Sequence, residues 1–290
     1  DGVNMGGQTV ALVSSGDGLY VDQYENGRYI YRGQSPNNYV EFNNELWRII
    51  AKETDGTYKI IRDELLPGTM VFDNIGYRSY ENNTYCTNLQ DNLGCGVYGK
   101  VSGTYQSPDG RLSGTVTEDS SIADYLNREY YNGLTAIARA QIQQHNFYIG
   151  PVEYYDISGN DSLSKNIAGE KMNTWTGNIG LVNVSDILKV SLNPACTSAT
   201  DQINQAREGK TICDQNYLIN ENADSPFWTI TMITGETDRY LTSTMWVGAL
   251  NVISNGPVFS PNAILPVLFL KSSIQFTSGN GTKSQPFIIG

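Results

Sequence analysis

Histidine is almost missing from this chain: His145 is the single one among 290 residues. Imidazole-based nucleophilic catalysis therefore has one candidate base, and no Gly-x-Ser-x-Gly elbow accompanies it, so serine hydrolysis is not expected. Cations are scarce as well. The 19 Lys and Arg stand against 30 Asp and Glu, for a formal net charge of −11, and they are scattered with no basic tract. Nucleic-acid binding relies on clustered Lys and Arg that displace counterions, so no nucleic-acid partner is expected. No run reaches the roughly 18 apolar residues of a membrane span, and no charged-then-apolar signal segment opens the chain. Cys-x-x-Cys knuckles are lacking too, which removes the usual zinc site. The first residue is Asp1, so a membrane or wall anchor outside the given chain is expected.

What the chain does contain fits one large mixed domain. It is 39% hydrophobic, enough for a substantial core, and no linker, repeat or low-complexity block divides it. Gly (29) and Tyr (19) are abundant while only 17% of residues are charged, a composition closer to extracellular surfaces than to cytosolic enzymes. Four cysteines lie in polar, loop-like text: Cys86 and Cys95 in "YCTNLQDNLGCG", Cys196 and Cys213 in "ACTSATDQINQAREGKTIC". Three pairings are open to them. Proximity favours Cys86 with Cys95 and Cys196 with Cys213, each stapling its own loop in an oxidising compartment.

Two alternating runs flank Asp55-Gly56 in "ELWRIIAKETDGTYKIIRDEL", which predicts a hairpin within a partly buried meander. Trp47, Ile49 and Ala51 are expected on one face, Arg48 and Ile50 on the other. Residues 79–118 show no sustained period and read as a long excursion. A helix is expected from Ser120 or Ser121 to Asn132-Gly133, a second with Leu134, Ile137, Ala138 and Ile142 on its inner face, and a short third from Ser185. His145 is placed at a helix end. The closing "AILPVLFLKSSIQF" is apolar without alternation, as in a strand buried on both faces, and Asn280-Gly281 makes a last turn back. Residues 1–20 are read as an N-terminal extension or assembly segment, and 21–290 as one domain.

Five blocks in order, "DGLYVDQYENGRYIYRGQSPNNYVEFNNELWRII", "IRDEL", "SIADYLNREYYNGLTAIA", "WTGNIGLVNVSD" and "LPVLFLKSSIQFTSGNGTKSQPFII", resemble an uncharacterised cell-surface domain family of gut Firmicutes. That family is distantly similar to the C-type-lectin-like and sulfatase-modifying-factor superfamily. The resemblance implies an α+β, C-type-lectin-like domain, mainly antiparallel sheet with two or three helices and long disulfide-stapled loops, located on the outside of a bacterial cell. Ile264-Leu265-Pro266 stands where relatives often have Val-Arg-Pro, so any role of that arginine is absent.

Chemistry is thin. Sulfatase-modifying oxidation needs a reactive cysteine pair, and these cysteines are placed to staple loops. Asp63-Glu64 and Asp73 are carboxylates of the kind any acidic chain offers. Calcium is the one possible cofactor: "SGNDSLSKN" and "NENADS" are oxygen-rich but match no EF-hand, and no other metal is expected. "LPGTM" at 66–70 reads as a turn, and no local motif marks a Lys–Asn isopeptide crosslink. Aromatics remain. Trp175, Tyr240 and Trp246 lie beside polar loop residues and are the candidate ligand-binding side chains, since exposed Tyr and Trp stack on sugars or anchor proteins. The expectation is a non-enzymatic adhesin or recognition module for host glycan or protein. The alternative is a structural subunit of an extracellular filament or surface layer that binds copies of itself, with residues 7–15 pairing to a sheet edge.

Overall fold

The computed structural model describes residues 1–73, 96–108, 110, 113–153, 162–199, 213–220, 225–234, 243–248, 252–258 and 260–290. The chain is α+β, with mostly antiparallel, mixed sheets, few helices and a Cys196–Cys213 disulfide. Its largest sheet grows from the predicted hairpin. Gly56 takes φ 85° and the Asp55 carboxylate accepts the Thr57 N–H at 3.0 Å, so the chain turns and Glu45–Lys52 pairs with Tyr58–Arg62. Asn43 and Asn44, with φ of 55° and 59°, make the preceding turn and lay Tyr39–Phe42 against the other edge of Glu45–Lys52.

The apolar closing run occupies the position its composition predicts. Val267–Leu270 is buried at every residue and pairs antiparallel with Tyr58–Arg62 on one side and Ile179–Gly180 on the other. After the turn at Gly279 and Gly281, Phe287–Ile289 lies parallel to Tyr39–Phe42 and antiparallel to Phe276–Ser278. With Gly18–Val21 and Tyr29–Arg32 the sheet has nine strands. A second sheet of four strands holds Val152–Glu153, Phe227–Thr234, Ser243–Gly248 and Val252–Pro257.

Several expectations are corrected. The meander, expected to be partly buried, is buried on both faces: Arg48 is enclosed along with Trp47, its guanidinium over the rings of Tyr39 and Tyr217. Residues 1–20, read from the sequence as an N-terminal extension or assembly segment, contain two paired strands. Gly2–Met5 and Gln8–Ala11 form a hairpin through Gly6-Gly7, and it docks on the body: the Tyr58 hydroxyl accepts the Gly6 N–H at 2.7 Å, and Val3 and Met5 are buried. Gly18–Val21 is already part of the main sheet.

Helices pack over the sheet and fix the positions of the charged and aromatic side chains around it. Ser120 caps Ser121–Tyr125, which runs on through Leu126–Tyr130 and Tyr131–Gly133. Thr135 caps Ala136–Gln141, whose buried residue is Ala138; Leu134 and Ile142 are buried on either side of the helix, Ile142 bridging to Leu270, while Ile137, expected on the inner face, is 73% exposed. His145 therefore opens a strand, His145–Tyr148, instead of ending a helix. Leu163–Lys171 was not expected. Val184–Val190, the predicted third helix, is buried at all seven residues. Arg32 donates to the Lys189 and Ser191 carbonyls at 2.8 and 2.7 Å, satisfying the end of that helix.

Candidate functional site

Six charged side chains meet where the helix Val184–Val190 packs on the main sheet. Arg28 Nη1 donates to Asp22 at 2.8 Å, its Nε and Nη2 to Glu53 at 2.9 and 3.0 Å, and Nη2 also to Asp186 at 3.0 Å. Lys59 Nζ contacts Asp186 at 2.6 Å and Lys189 Nζ contacts Asp22 at 2.8 Å. Three cations thus face three carboxylates, and all but Glu53 are buried. Burial alone pushes the Asp186 carboxyl up, but Lys59, Arg28 and Lys189 outweigh it and hold it well below its ordinary value; Asp22 is lowered by the same balance against Lys189 and Arg28. Charges this deep persist only when paired, and removing one partner typically costs about 3–5 kcal/mol. The network joins the turn before Tyr29–Arg32, the central hairpin and the helix.

A polar cavity of about 110 Å³ opens beside it, lined by Lys59, Asn183, Glu170, His145, Asp186 and Phe269 among others. The His145 ring stacks on Phe269 with centroids 3.8 Å apart, and its Nε2 lies 3.0 Å from Asp55. Glu170 accepts the Ser185 N–H at 3.1 Å and the Thr231 hydroxyl at 2.6 Å, and also the Ser185 hydroxyl. Burial still wins over these donors and raises its carboxyl above the ordinary value.

On the outer side of the same network lies a larger groove of about 420 Å³. Leu163 and Leu188 form its buried floor, and Val21 and Tyr24 flank it at 52% and 45% exposure. Pro194 and Cys196 close one side, so the Cys196–Cys213 disulfide staples part of the wall. Gln23, Ser164 and Thr197 bring exposed amide and hydroxyl groups. Tyr24 is held from below: its N–H donates to Asp22 at 2.9 Å, and Lys189 Nζ sits 5.7 Å from its ring centre.

The aromatic candidates from the sequence do not gather here. Trp175 is 4% exposed; its indole N–H donates to Asp119 at 2.9 Å and Tyr98 meets it edge-on, so packing takes up the face expected to stack on a ligand. It borders a separate open depression of about 440 Å³ lined by Lys100, Thr115, Thr117, Thr174 and Thr176. Trp246 is placed by its backbone opposite Trp228 and Ser254. Tyr240, Cys86 and Cys95 lie outside the described residues, as do 158–161 and 221–224 of the two oxygen-rich stretches. Asp73 accepts from the backbone and hydroxyl of Ser121, and Asp63 is buried with Lys283 at 3.3 Å. Tyr24 was missed, although "DQYENGR" crowds an aromatic among Asp22, Glu25 and Arg28, a density of charge that signals a fixed loop. The chain matches no protein-family model, no curated protein and no solved structure.

Proposed function

We propose that this chain is a non-enzymatic recognition module of C-type-lectin-like fold, displayed on the outside of a bacterial cell, and that it binds a host glycan or protein in the Tyr24 groove. The observation that carries this reading is the pairing of two exposed apolar side chains, Val21 and Tyr24, with a floor braced by ion pairs and a disulfide. Ion pairs hold Asp22 and Lys189 beneath the groove, and a disulfide holds its wall. Such preorganisation lowers the cost of ordering on binding. An exposed tyrosine with hydroxyl and amide neighbours suits a sugar ring, which offers an apolar face and a polar rim. The disulfide is compatible with an oxidising exterior, and the late strand that completes the main sheet supports the fold assignment.

A glycan and mucin array, probed with and without calcium, tests it. Tyr24→Ala is expected to weaken binding about tenfold or more at unchanged melting temperature, the scale of losing a central aromatic contact. Undiminished binding by that variant would remove the groove, and turnover of a bound glycan would remove the non-enzymatic reading.

A second reading, a filament or surface-layer subunit assembled by strand addition, draws on the Gln8–Ala11 strand. In the described residues its ladder partner is Gly2–Met5, and Thr9 and Ala11 are exposed. An edge of that kind is a template for another chain.

A further inference from the structure

Asn183 stands at the head of the helix Val184–Val190, where an asparagine normally folds its side chain back to cap the first turn. It makes no such bond. Its Oδ1 instead accepts from Lys59 Nζ at 3.0 Å, and its Nδ2 donates to the Tyr148 carbonyl at 2.9 Å. The carboxamide is thus fixed at both ends, with its carbonyl carbon one bond beyond the oxygen that Nζ touches. Asp186 Oδ2 sits 2.6 Å from the same Nζ. Lys59, Asn183 and Asp186 are all buried, and the Phe269 ring lies 5.7 Å from Nζ.

We propose that Lys59 and Asn183 are joined by an intramolecular isopeptide bond, formed by the folded chain itself with Asp186 as the proton carrier. Asp186 takes one proton from the Lys59 ammonium, and the freed electron pair on Nζ forms the bond to Asn183 Cγ. The Cγ–Nδ2 bond then breaks, Nδ2 takes a second proton from Nζ, and ammonia leaves through the adjoining cavity, where the proton on Asp186 follows it. Nothing is oxidised or reduced, and no co-reactant is needed. Holding amine and amide in contact converts a reaction negligible between separate molecules into an intramolecular one. Among the described residues the other buried lysine, Lys189, meets Asp22 and no carboxamide, and Arg28 and Arg48 carry guanidinium groups instead of a primary amine. The product would tie the strand Tyr58–Arg62 to the helix across 124 positions of sequence, a tether that resists pulling and proteolysis.

Intact-mass measurement of the folded, purified chain after reduction decides this. The expected mass is lighter than the sequence by one ammonia, with tandem spectra of a digest showing the Lys59 peptide joined to the Asn183 peptide. Lys59→Arg keeps a cation opposite Asp186 and is expected at its full sequence mass. Asn183→Asp keeps the shape and is expected to lose one water instead. A wild-type chain that melts cooperatively yet has its full sequence mass would overturn the proposal, as would an ammonia loss that persists in Lys59→Arg. Neither outcome depends on ligand binding, so the crosslink and the groove stand or fall separately.

Discussion

Glu170 shows how a single buried side chain contributes to the pH response of this protein. Its carboxyl is raised above the ordinary 4.5, chiefly by burial, so the folded chain binds a proton at pH values where the unfolded chain has lost it. The stabilisation is fully present below the unfolded value and is lost as pH rises through the raised folded one. Asp22 and Asp186 behave oppositely. Their folded values lie below the ordinary 3.8, so their contribution is present above that value and disappears only on strong acidification. Urea unfolding between pH 4.5 and about 8 separates the two effects. Glu170→Gln, which stays neutral and keeps an acceptor for Ser185 and Thr231, is expected to lose less stability over that range than the wild type. Parallel slopes would mean that Glu170 ionises alike in both states. None of this was legible in the sequence, where Glu170 is one acid among 30. Its character comes from burial, which outweighs the lowering by Ser185 and Thr231, and burial was equally hidden for Trp175, whose polar neighbours in "NTWTGNIG" concealed packing against Tyr98.

Elements were read better than residues because their signals are local. Asp55-Gly56, the Ser120 cap and the closing apolar run each carry their own physical cause, and each appears where expected. The helix Leu163–Lys171 was missed because its inner face includes Asn166 and Glu170, buried polar residues that break the apolar period. The amino-terminal hairpin was legible as a strand but not in its partners. Met5 pairs with Gln8 across a two-residue turn, so the next pair, Asn4 with Thr9, is the one whose backbone groups point away from the hairpin. Thr9→Pro therefore removes an outward N–H and costs no hydrogen bond within the hairpin. If the chain assembles by strand addition at this edge, Thr9→Pro should abolish ordered fibres or sheets in negative-stain micrographs while the monomer keeps its melting temperature. Polymers that survive the substitution would reject that edge as the contact.

At the scale of the molecule, the first and last segments of the chain meet. The Gly6 carbonyl accepts the Phe276 N–H at 2.6 Å, Gln8 donates to the Phe276 carbonyl at 3.1 Å, and Lys52 reaches the Asn4 carbonyl at 2.6 Å. Met5 is completely buried and Val3 nearly so, under a corner built from Tyr58 and Phe276. A segment docked in this way is part of the core, although in sequence it reads as a detachable arm. Its distant partners, 52 and 268 positions away, are what a linear reading cannot supply. Deleting residues 1–15 should then destabilise the domain by on the order of 3–6 kcal/mol, the value of two buried aliphatic side chains, with the Tyr58 hydroxyl and the Phe276 backbone losing their partners as well. A urea melt of the truncated chain measures this directly. A large fall in midpoint with one cooperative transition would make the hairpin integral, and any loss of assembly on deletion would then report unfolding, not a missing contact. An unchanged midpoint would return residues 1–15 to the role of an independent arm and make the filament reading the stronger of the two.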